Sequence, residues 1–217
     1  MTGLPRRSAF SLVELLAALG AAAALVLVGI SAGRQALAGA RSSDSVARLR
    51  TVGLAVLTHA GEHNQRLPGP LWPGQIMLYD AAREGRLVNE LADYLGVSHR
   101  DTPYVVARMI PKAYQSNPTP ASLANLRVYV MNTSIVLAGQ TNQPFGSLTA
   151  SPGVDPMRLV ELENLPASER WMISETDQLH PDVRDAPWKN HTPARPVHGA
   201  FRAAVDFDGS ARLEKIP

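Results

Sequence analysis

The sequence predicts an α+β protein in which a long N-terminal helix packs on a small antiparallel β-sheet head. Residues 10–32 are almost uninterruptedly apolar, and residues 46–60 place apolar side chains at steps of three and four. Residues 201–207 instead place apolar side chains at every second position, and an Asp-Gly turn signal follows them. The first two patterns are typical of helices, and the third is typical of a strand with one buried face.

The amino-acid composition limits the kinds of site that the protein can contain. The chain has 217 residues, which fits one domain plus an anchor, and it contains no cysteine. Disulfides and thiolate metal sites are therefore excluded. The net charge of +2 is spread along the chain. Without a long basic run or an aromatic-laced basic patch, the sequence gives no indication of nucleic-acid binding.

Residues 10–32 are predicted to form a transmembrane helix. At about 1.5 Å per residue the helix is about 34 Å long, enough to cross a hydrocarbon core of about 30 Å. The preceding leader, residues 1–9, contains Arg6 and Arg7. Positive charges ahead of a span favour a cytoplasmic N-terminus. We therefore expect a single-pass membrane protein in which the chain after Ala32 is exported.

Three other interpretations of this stretch compete with an assembly helix. A cleaved secretory signal could use the small residues at Ala36-Leu37-Ala38, but its apolar region is normally about 7–15 residues long. A plain membrane anchor explains the length but not the acidic Glu14. A buried core helix is disfavoured by the basic leader and the single unbroken apolar run.

Glu14 is unexpected in a membrane helix, because a central charge costs about 2.5–3.5 kcal/mol on insertion scales. It could lie shallow and reach the lipid headgroups. Alternatively, it could meet a cation at the same depth. Cleavage between Ala9 and Phe10 would create such a cation, an amine on Phe10 of a neighbouring chain. The small residues between positions 17 and 24 would let the helices approach closely.

The segment Arg6-Arg7-Ser8-Ala9, followed by Phe10-Ser11-Leu12-Val13-Glu14-Leu15-Leu16, resembles the cleavage and methylation motif of type IV prepilins and type II secretion pseudopilins. The resemblance implies that a prepilin peptidase cuts after Ala9 and N-methylates Phe10. It also implies that Glu14 serves filament assembly. The family usually has Gly before the cut, where this chain has Ala9.

Residues 33–62 are predicted to form an amphipathic stalk helix. Its apolar stripe comprises Val46, Leu49, Val52 or Gly53, Val56 or Leu57, and Ala60. One long helix through the span and the stalk is the simpler interpretation. The alternative is a short hinge at Gly39 or near Ser42-Ser43.

Residues 63–217 are predicted to form the exported α+β head. Strands are expected at 104–110, 126–131 and 170–174, helices within 74–96, and loops at 117–120 and 140–156. At the C-terminus, Asp208-Gly209 is typical of a two-residue type I′ turn, which makes residues 201–216 a hairpin.

Two further segments resemble a large pseudopilin-like group with long C-terminal domains. One is Arg48-Leu49-Arg50-Thr51-Val52-Gly53-Leu54-Ala55 with the residues up to Pro68. The other is His198 and Asp208-Gly209, separated by nine residues and preceded by Glu175-Thr176-Asp177. At about 3.3 Å per residue, a strand between His198 and Asp208 separates them by roughly 30 Å. We therefore expect an architectural role, in which His198 orders the start of the strand and Asp208-Gly209 makes the turn.

Two groups of side chains are candidate metal ligands. The first is Glu175, Asp177, His180, Asp182 and Asp185, whose four carboxylates are candidate ligands for calcium, which the resembled class can bind in a C-terminal loop. Their spacing matches no defined calcium loop, and a solvated acidic loop is the alternative. His59 and His63 lie one helical turn apart and could face a metal or simply end the helix in solvent.

No nucleophile elbow, phosphate-binding glycine loop or zinc-protease motif is present in the sequence, so we expect no catalytic residues, no cofactor and no enzyme activity. We expect a pseudopilin, a structural subunit of a type II secretion or type IV pilus-like filament. Its expected partners are the prepilin peptidase, like and unlike pseudopilin subunits, the inner-membrane assembly platform and lipid, with no nucleic acid. The alternatives are a monomeric membrane-anchored periplasmic ligand-binding module and an anchored hydrolase that uses residues 175–198.

Overall fold

The computed structural model describes residues 12–116, 122–150 and 152–216. It confirms the α+β class, with a 51-residue N-terminal helix, Leu12–Glu62, followed by a head built around a five-stranded antiparallel sheet. The chain forms two compact units, of which the first ends at Ala40 and the second begins at Arg41. The leader residues 1–9 and the loop predicted at 117–120 lie outside the described residues.

The described residues contain four α-helices and nine strands. The helices are α1 Leu12–Glu62, α2 Leu87–Glu90, α3 Lys112–Gln115 and α4 Pro181–Arg184. The strands are β1 Gly74–Ile76, β2 Leu78–Tyr79, β3 Tyr104–Val105, β4 Arg127–Met131, β5 Ile135–Leu137, β6 Gln140–Asn142, β7 Trp171–Glu175, β8 Phe201–Asp206 and β9 Ala211–Lys215.

The first unit consists, over its described residues 12–40, of the N-terminal part of α1. Its side chains are exposed throughout, including Leu12 at 75% and Leu25 at 74%. By length and composition α1 is apolar enough to cross a membrane. Such a long exposed apolar surface is unfavourable in water, which is consistent with single-pass anchoring. The backbone is also helical at Gly39, Ser42 and Ser43, where a hinge was the alternative to one long helix.

The main sheet has the strand order β1-β4-β7-β8-β9, and every neighbouring pair is antiparallel. Two small sheets are inserted between its strands in sequence, β2-β3 between β1 and β4 and β5-β6 between β4 and β7. The inner strands β4, β7 and β8 are largely buried, whereas most of the edge strand β9 is exposed. The predicted strands at 126–131 and 170–174 and the predicted C-terminal hairpin are therefore confirmed.

Residues 41–62 of α1 pack on this sheet through the predicted apolar stripe. Leu49, Val52 and Val56 are fully buried. Gly53 makes the closest approach, because a Cβ atom built there would lie only 2.6 Å from Cγ2 of Val205 on β8. That separation is too short for any side chain, so the helix can reach the sheet at this point only with glycine.

The predicted helices within residues 74–96 are largely wrong. Residues 74–79 form β1 and β2, and only α2, Leu87–Glu90, is helical. β1 pairs with β4, more than 50 positions away in the chain, and β2 pairs with β3. These strands depend on distant partners, which the local spacing of apolar residues does not reveal.

Two other segments differ from prediction for a similar reason. The strand predicted at 104–110 is limited to Tyr104–Val105, because its partner β2 offers only two residues, and Ala107–Met109 form a 3₁₀ turn. The loop predicted at 140–156 begins with β6, which pairs with β5.

The hairpin turn between β8 and β9 has three residues, not the two that were predicted. The Asp206 N–H donates to the Ser210 carbonyl at 2.9 Å, and the Gly209 N–H donates to the Asp206 carbonyl at 2.9 Å. Within this turn only Gly209 has a positive φ, +84°, whereas a type I′ turn requires two such residues. The geometry is that of a three-residue loop closed by a left-handed glycine.

We expect Gly53→Ala to destabilise the head by about 1–3 kcal/mol, because the added methyl group must displace Val205. Gly61→Ala in the same helix is the matched control, since a Cβ atom there meets nothing within 4 Å. Urea unfolding of the full chain in detergent measures both. Equal unfolding midpoints for the two variants would show that the helix does not rely on this close contact.

Candidate functional site

The predicted processing residues Arg6, Arg7, Ala9 and Phe10 lie outside the described residues. The described part of the chain begins at Leu12, and Glu14 lies in the first turn of α1. Glu14 is the only charged residue between positions 12 and 33. Its neighbours Val13 and Leu15 are 73% and 57% exposed, so the carboxylate belongs to an apolar helix surface. We call residues 12–33 the apolar helix surface.

In the head, His198 is the centre of a buried polar cluster. Its Nε2 atom lies 2.9 Å from Ser45 Oγ on α1 and 3.3 Å from Glu175 Oε2 at the end of β7. The side chains of His198 and Glu175 are only 5% and 2% exposed. Glu175 Oε2 also accepts a 2.9 Å hydrogen bond from the Ala203 N–H of β8. The His198 cluster, Ser45, Glu175 and His198, therefore joins α1 to two neighbouring strands.

The His198 cluster contains the residue types of a hydrolase triad but not its geometry. In a triad the serine and the acid contact opposite nitrogens of the imidazole ring. Here both Ser45 and Glu175 contact Nε2, and Ser45 is fully buried. A substrate cannot reach this hydroxyl group, so the cluster is suited to holding elements together.

A second buried pair lies beside this cluster. Arg202 on β8 forms a two-pronged ion pair with Asp177, donating from Nε to Oδ2 and from Nη2 to Oδ1. Asp177 is fully buried and also accepts a 2.8 Å hydrogen bond from the Leu179 N–H. The pair ties the chain after β7 to β8. A buried ion pair of this kind is costly to break, because either charge alone would be stranded.

Asp208 and Gly209 are placed apart from His198, in the hairpin turn. The Asp208 carboxylate accepts a 2.8 Å hydrogen bond from the Ser210 N–H, and hydrogen bonds from Ser210 lower the pKa of Asp208. A Cβ atom at Gly209 would lie 2.8 Å from Leu57 Cδ1 of α1. The turn therefore rests on the helix, and its glycine serves both the left-handed backbone and this contact.

The four calcium candidates do not come together around a common point. Glu175 contacts His198, Asp177 contacts Arg202, and Asp185 lies 3.6 Å from Arg184. Asp182 lies 3.6 Å from His180 Nδ1. Among the residues that the structure describes, no group of three histidines or carboxylates is placed to hold a metal ion. The geometry therefore offers no observation in favour of calcium at these residues.

The second metal candidate, His59 with His63, is a stacked pair. The two rings are parallel within 7°, with centroids 4.0 Å apart, and Tyr94 packs edge-on against His59. Burial lowers the pKa of His59, and the charge of His63 lowers it further. This arrangement closes the end of α1 against the head.

His180 caps the short helix α4 and is held neutral. Its Nδ1 atom accepts a 3.2 Å hydrogen bond from the Asp182 N–H, and its ring packs against Trp171. Burial lowers the pKa of His180 to about 4, the nearby Arg202 charge also lowers it, and Asp177 opposes the shift. Proton uptake at His180 therefore works against the folded state.

Of these buried polar residues, motif and composition in the sequence indicate His198, Glu175 and Asp177, but not Ser45 or Arg202. The predicted alternation with one buried face put Arg202 on the outward face of the strand, whereas in the structure Arg202 is buried, at 8% exposure, because it pairs with Asp177. Ser45 gave no signal, because a serine on an amphipathic helix does not reveal that its hydroxyl group meets a histidine 153 positions away.

No protein-family model, no curated protein and no solved structure matches this chain.

We expect His198→Ala and Glu175→Ala each to destabilise the head by about 3–5 kcal/mol, because each change strands a buried partner. The double variant should cost clearly less than the sum of the two. His191→Ala, at an exposed histidine in the same region, is the control and should change little. Urea unfolding of the parent protein, the two single variants and the double variant gives a double-mutant cycle. If the losses in the free energy of unfolding are additive, the two side chains do not interact.

We expect stability to fall as the pH drops from about 6.5 to 4, partly because of His180. Unfolded His180, with a pKa of about 6.5, binds a proton across this window while folded His180, with a pKa of about 4, does not. The free energy of unfolding therefore rises with pH here, by up to about 3 kcal/mol from this residue. Its contribution is complete above pH 6.5.

The His180→Asn variant keeps a hydrogen-bond acceptor at the start of α4 but cannot titrate. It should show a flatter dependence of the urea midpoint on pH between 4 and 6.5, while the carboxylates contribute equally to both proteins. Identical pH profiles for the two proteins would mean that His180 does not titrate differently in the folded and unfolded states.

Proposed function

We propose that this protein is a pseudopilin-like structural subunit, anchored by α1 and assembled through it into a filament that serves protein export. The observation that carries the proposal is the apolar helix surface with Glu14 as its one charged residue. The α+β head, with α1 packed on an antiparallel sheet, is compatible with a pilin-like fold.

The energetics of the apolar helix surface favour assembly over simple anchoring. Apolar side chains such as Leu12, Leu19 and Leu25 are more than half exposed and need lipid or other helices around them. Lipid chains cover the leucines, but the hydrocarbon region does not stabilise a carboxylate. A bundle of like helices covers the leucines and can also bring a cation to Glu14.

The proposed cation is the amino terminus of a neighbouring subunit. In the proposal, Arg6 and Arg7 keep the leader in the cytoplasm, and a prepilin peptidase cuts after Ala9 and methylates the new amine of Phe10. Glu14 of one chain then pairs with the Phe10 amine of the next. The small residues between positions 17 and 24 allow the helices to pack closely in the filament core.

The head contributes a firm attachment to the upper part of α1. The Gly53–Val205 contact, the His198 cluster and the Leu57–Gly209 contact all join residues 41–62 to β7, β8 or the hairpin turn. These contacts attach residues 41–62 to the sheet, so that this part of α1 and the head form one compact unit.

We expect Glu14→Ala to leave membrane insertion intact and to abolish ordered assembly, because it removes the proposed partner of the Phe10 amine. Membrane fractionation measures insertion, and crosslinking between cysteines introduced into the spans measures assembly. Ser31→Ala is the matched control: its hydroxyl group is polar within the same apolar helix and donates a hydrogen bond to the helix backbone, at the Val28 carbonyl. Normal crosslinking of the Glu14→Ala protein would contradict the proposal, as would loss of crosslinking in both variants.

The mature N-terminus provides a direct test. Mass spectrometry of the membrane-bound protein should find an N-methylated Phe10 at the start of the chain. A native chain that still begins at residue 1, or begins after residue 38, would lack the proposed amine and would overturn the filament mechanism.

A further inference from the structure

A cavity of about 360 Å³ lies in the head beside β1. Its lining includes two indole rings, Trp72 and Trp188, and three guanidinium side chains, Arg83, Arg86 and Arg127. Small-molecule sites in proteins are typically clefts of about 300–1,000 Å³ with aromatic walls and a few polar groups. The size and the lining of this cavity fit such a site.

Both indole rings are built into the fold. A Cβ atom at Gly74 would lie 2.7 Å from Cη2 of Trp188, and one at Gly85 would lie 2.7 Å from Cδ1 of Trp72. Gly85 also has a φ of +72°, which favours glycine. The two glycines let the rings lie directly against the backbone, so the aromatic walls of the cavity are fixed in place.

Gln75 makes this part of the head rigid. It is only 1% exposed, and its Nε2 atom donates to the Trp72 carbonyl at 2.5 Å and to the Gly85 carbonyl at 3.1 Å. Its Oε1 atom accepts a 2.8 Å hydrogen bond from the Leu87 N–H. One buried side chain therefore holds the two sides of the cavity together, and a preformed site loses less entropy when a ligand binds.

Arg127 brings an uncompensated charge to the cavity. Its guanidinium group lies 4.9 Å above the Trp188 ring, and Nη1 donates to the Gly74 carbonyl. Its Nε atom is buried without a hydrogen-bond partner, and within the described residues Arg127 takes part in no ion pair. A guanidinium fork without a protein carboxylate is suited to bind one from a ligand.

The neighbouring charges leave a local positive excess. Arg86 and Arg83 share one carboxylate, that of Asp80, at 3.8 and 3.9 Å, and the exposed Glu84 also lines the cavity. Burial lowers the pKa of Arg127, and the charge of Arg86 lowers it further. The cavity therefore holds cations at a cost that a bound anion would relieve.

We propose that this cavity is a binding site for a small carboxylate attached to a ring with an apolar face, with that face against Trp72 and the carboxylate at Arg127 and Arg86. Trp72 is 43% exposed and offers a free surface for the ring, whereas Trp188 is engaged by Arg127. An acidic sugar and an aromatic acid share this chemistry. The site lies wholly in the head, so it does not depend on filament assembly.

The test uses the full chain in lipid nanodiscs, carrying Trp171→Phe so that Trp72 and Trp188 remain as the only tryptophans of three. Glucuronate and benzoate are titrated, followed by tryptophan fluorescence and calorimetry. Glucose, benzyl alcohol and inorganic phosphate separate the ring from the charge. We expect saturable binding of at least one of the two acids and none of the neutral compounds.

Two variants locate the site. Arg127→Met should weaken binding about tenfold or more, the loss expected for one charge-assisted hydrogen bond. Trp72→Leu should weaken it as well, and this variant removes an exposed ring, so it tests the site even if Arg127→Met unfolds the head. Arg100→Met is the matched control, because Arg100 lies 4.7 Å above the Tyr104 ring in the same kind of contact outside the cavity.

Binding of glucuronate alone or of benzoate alone supports the proposal and identifies the ring. The proposal is overturned if neither acid binds saturably, if phosphate binds as tightly as the acids, or if Arg100→Met weakens binding as much as the cavity variants do. Unchanged binding by Trp72→Leu would overturn the assigned place of the ring.

Discussion

The contact between Gly53 and Val205 is the constraint on which the head depends. α1 can lie close to β8 only where no side chain intervenes, and this closeness brings Ser45 and Leu57, on either side of Gly53, within reach of the sheet and its hairpin. Close packing of this kind has little tolerance for added volume. The position of the helix on the sheet therefore sets the other contacts between them.

Once the helix is in place, buried charges fix which strands and loops meet it. Glu175, the last residue of β7, contacts His198, and Asp177, two residues later, pairs with Arg202. Each acidic residue therefore meets a basic residue from β8 or from the segment just before it. These pairs are weak arguments for stability as such, because desolvation offsets much of their attraction. Their effect is on the specificity of the fold, since a different register of the β-strands would leave a buried charged group without its partner. The same pairing explains why acids that appear free in the sequence are engaged in the fold.

The apolar helix surface and the head differ in where they place their apolar side chains. The apolar helix surface exposes its leucines and has one acid, which makes it unsuited to water and suited to lipid or to other helices. The head buries its apolar side chains, and beside β1 it has a cavity lined by three arginines. Assembly through the helix and ligand binding in the head would therefore use separate surfaces and place separate demands on the sequence.

The sequence by itself determined the features that repeat locally: the apolar helix, the stripe from Leu49 to Ala60, and the alternation that forms β8. It also singled out Glu14 and His198, because each breaks a regular pattern or matches a spacing. Tertiary structure alone decided that residues 74–76 and 78–79 become strands, that Glu175 meets His198, and that Trp72 and Trp188 share a cavity. The physical reason is distance along the chain. A local period is visible in neighbouring residues, whereas a pairing or a cavity wall exists only once packing has brought remote residues together.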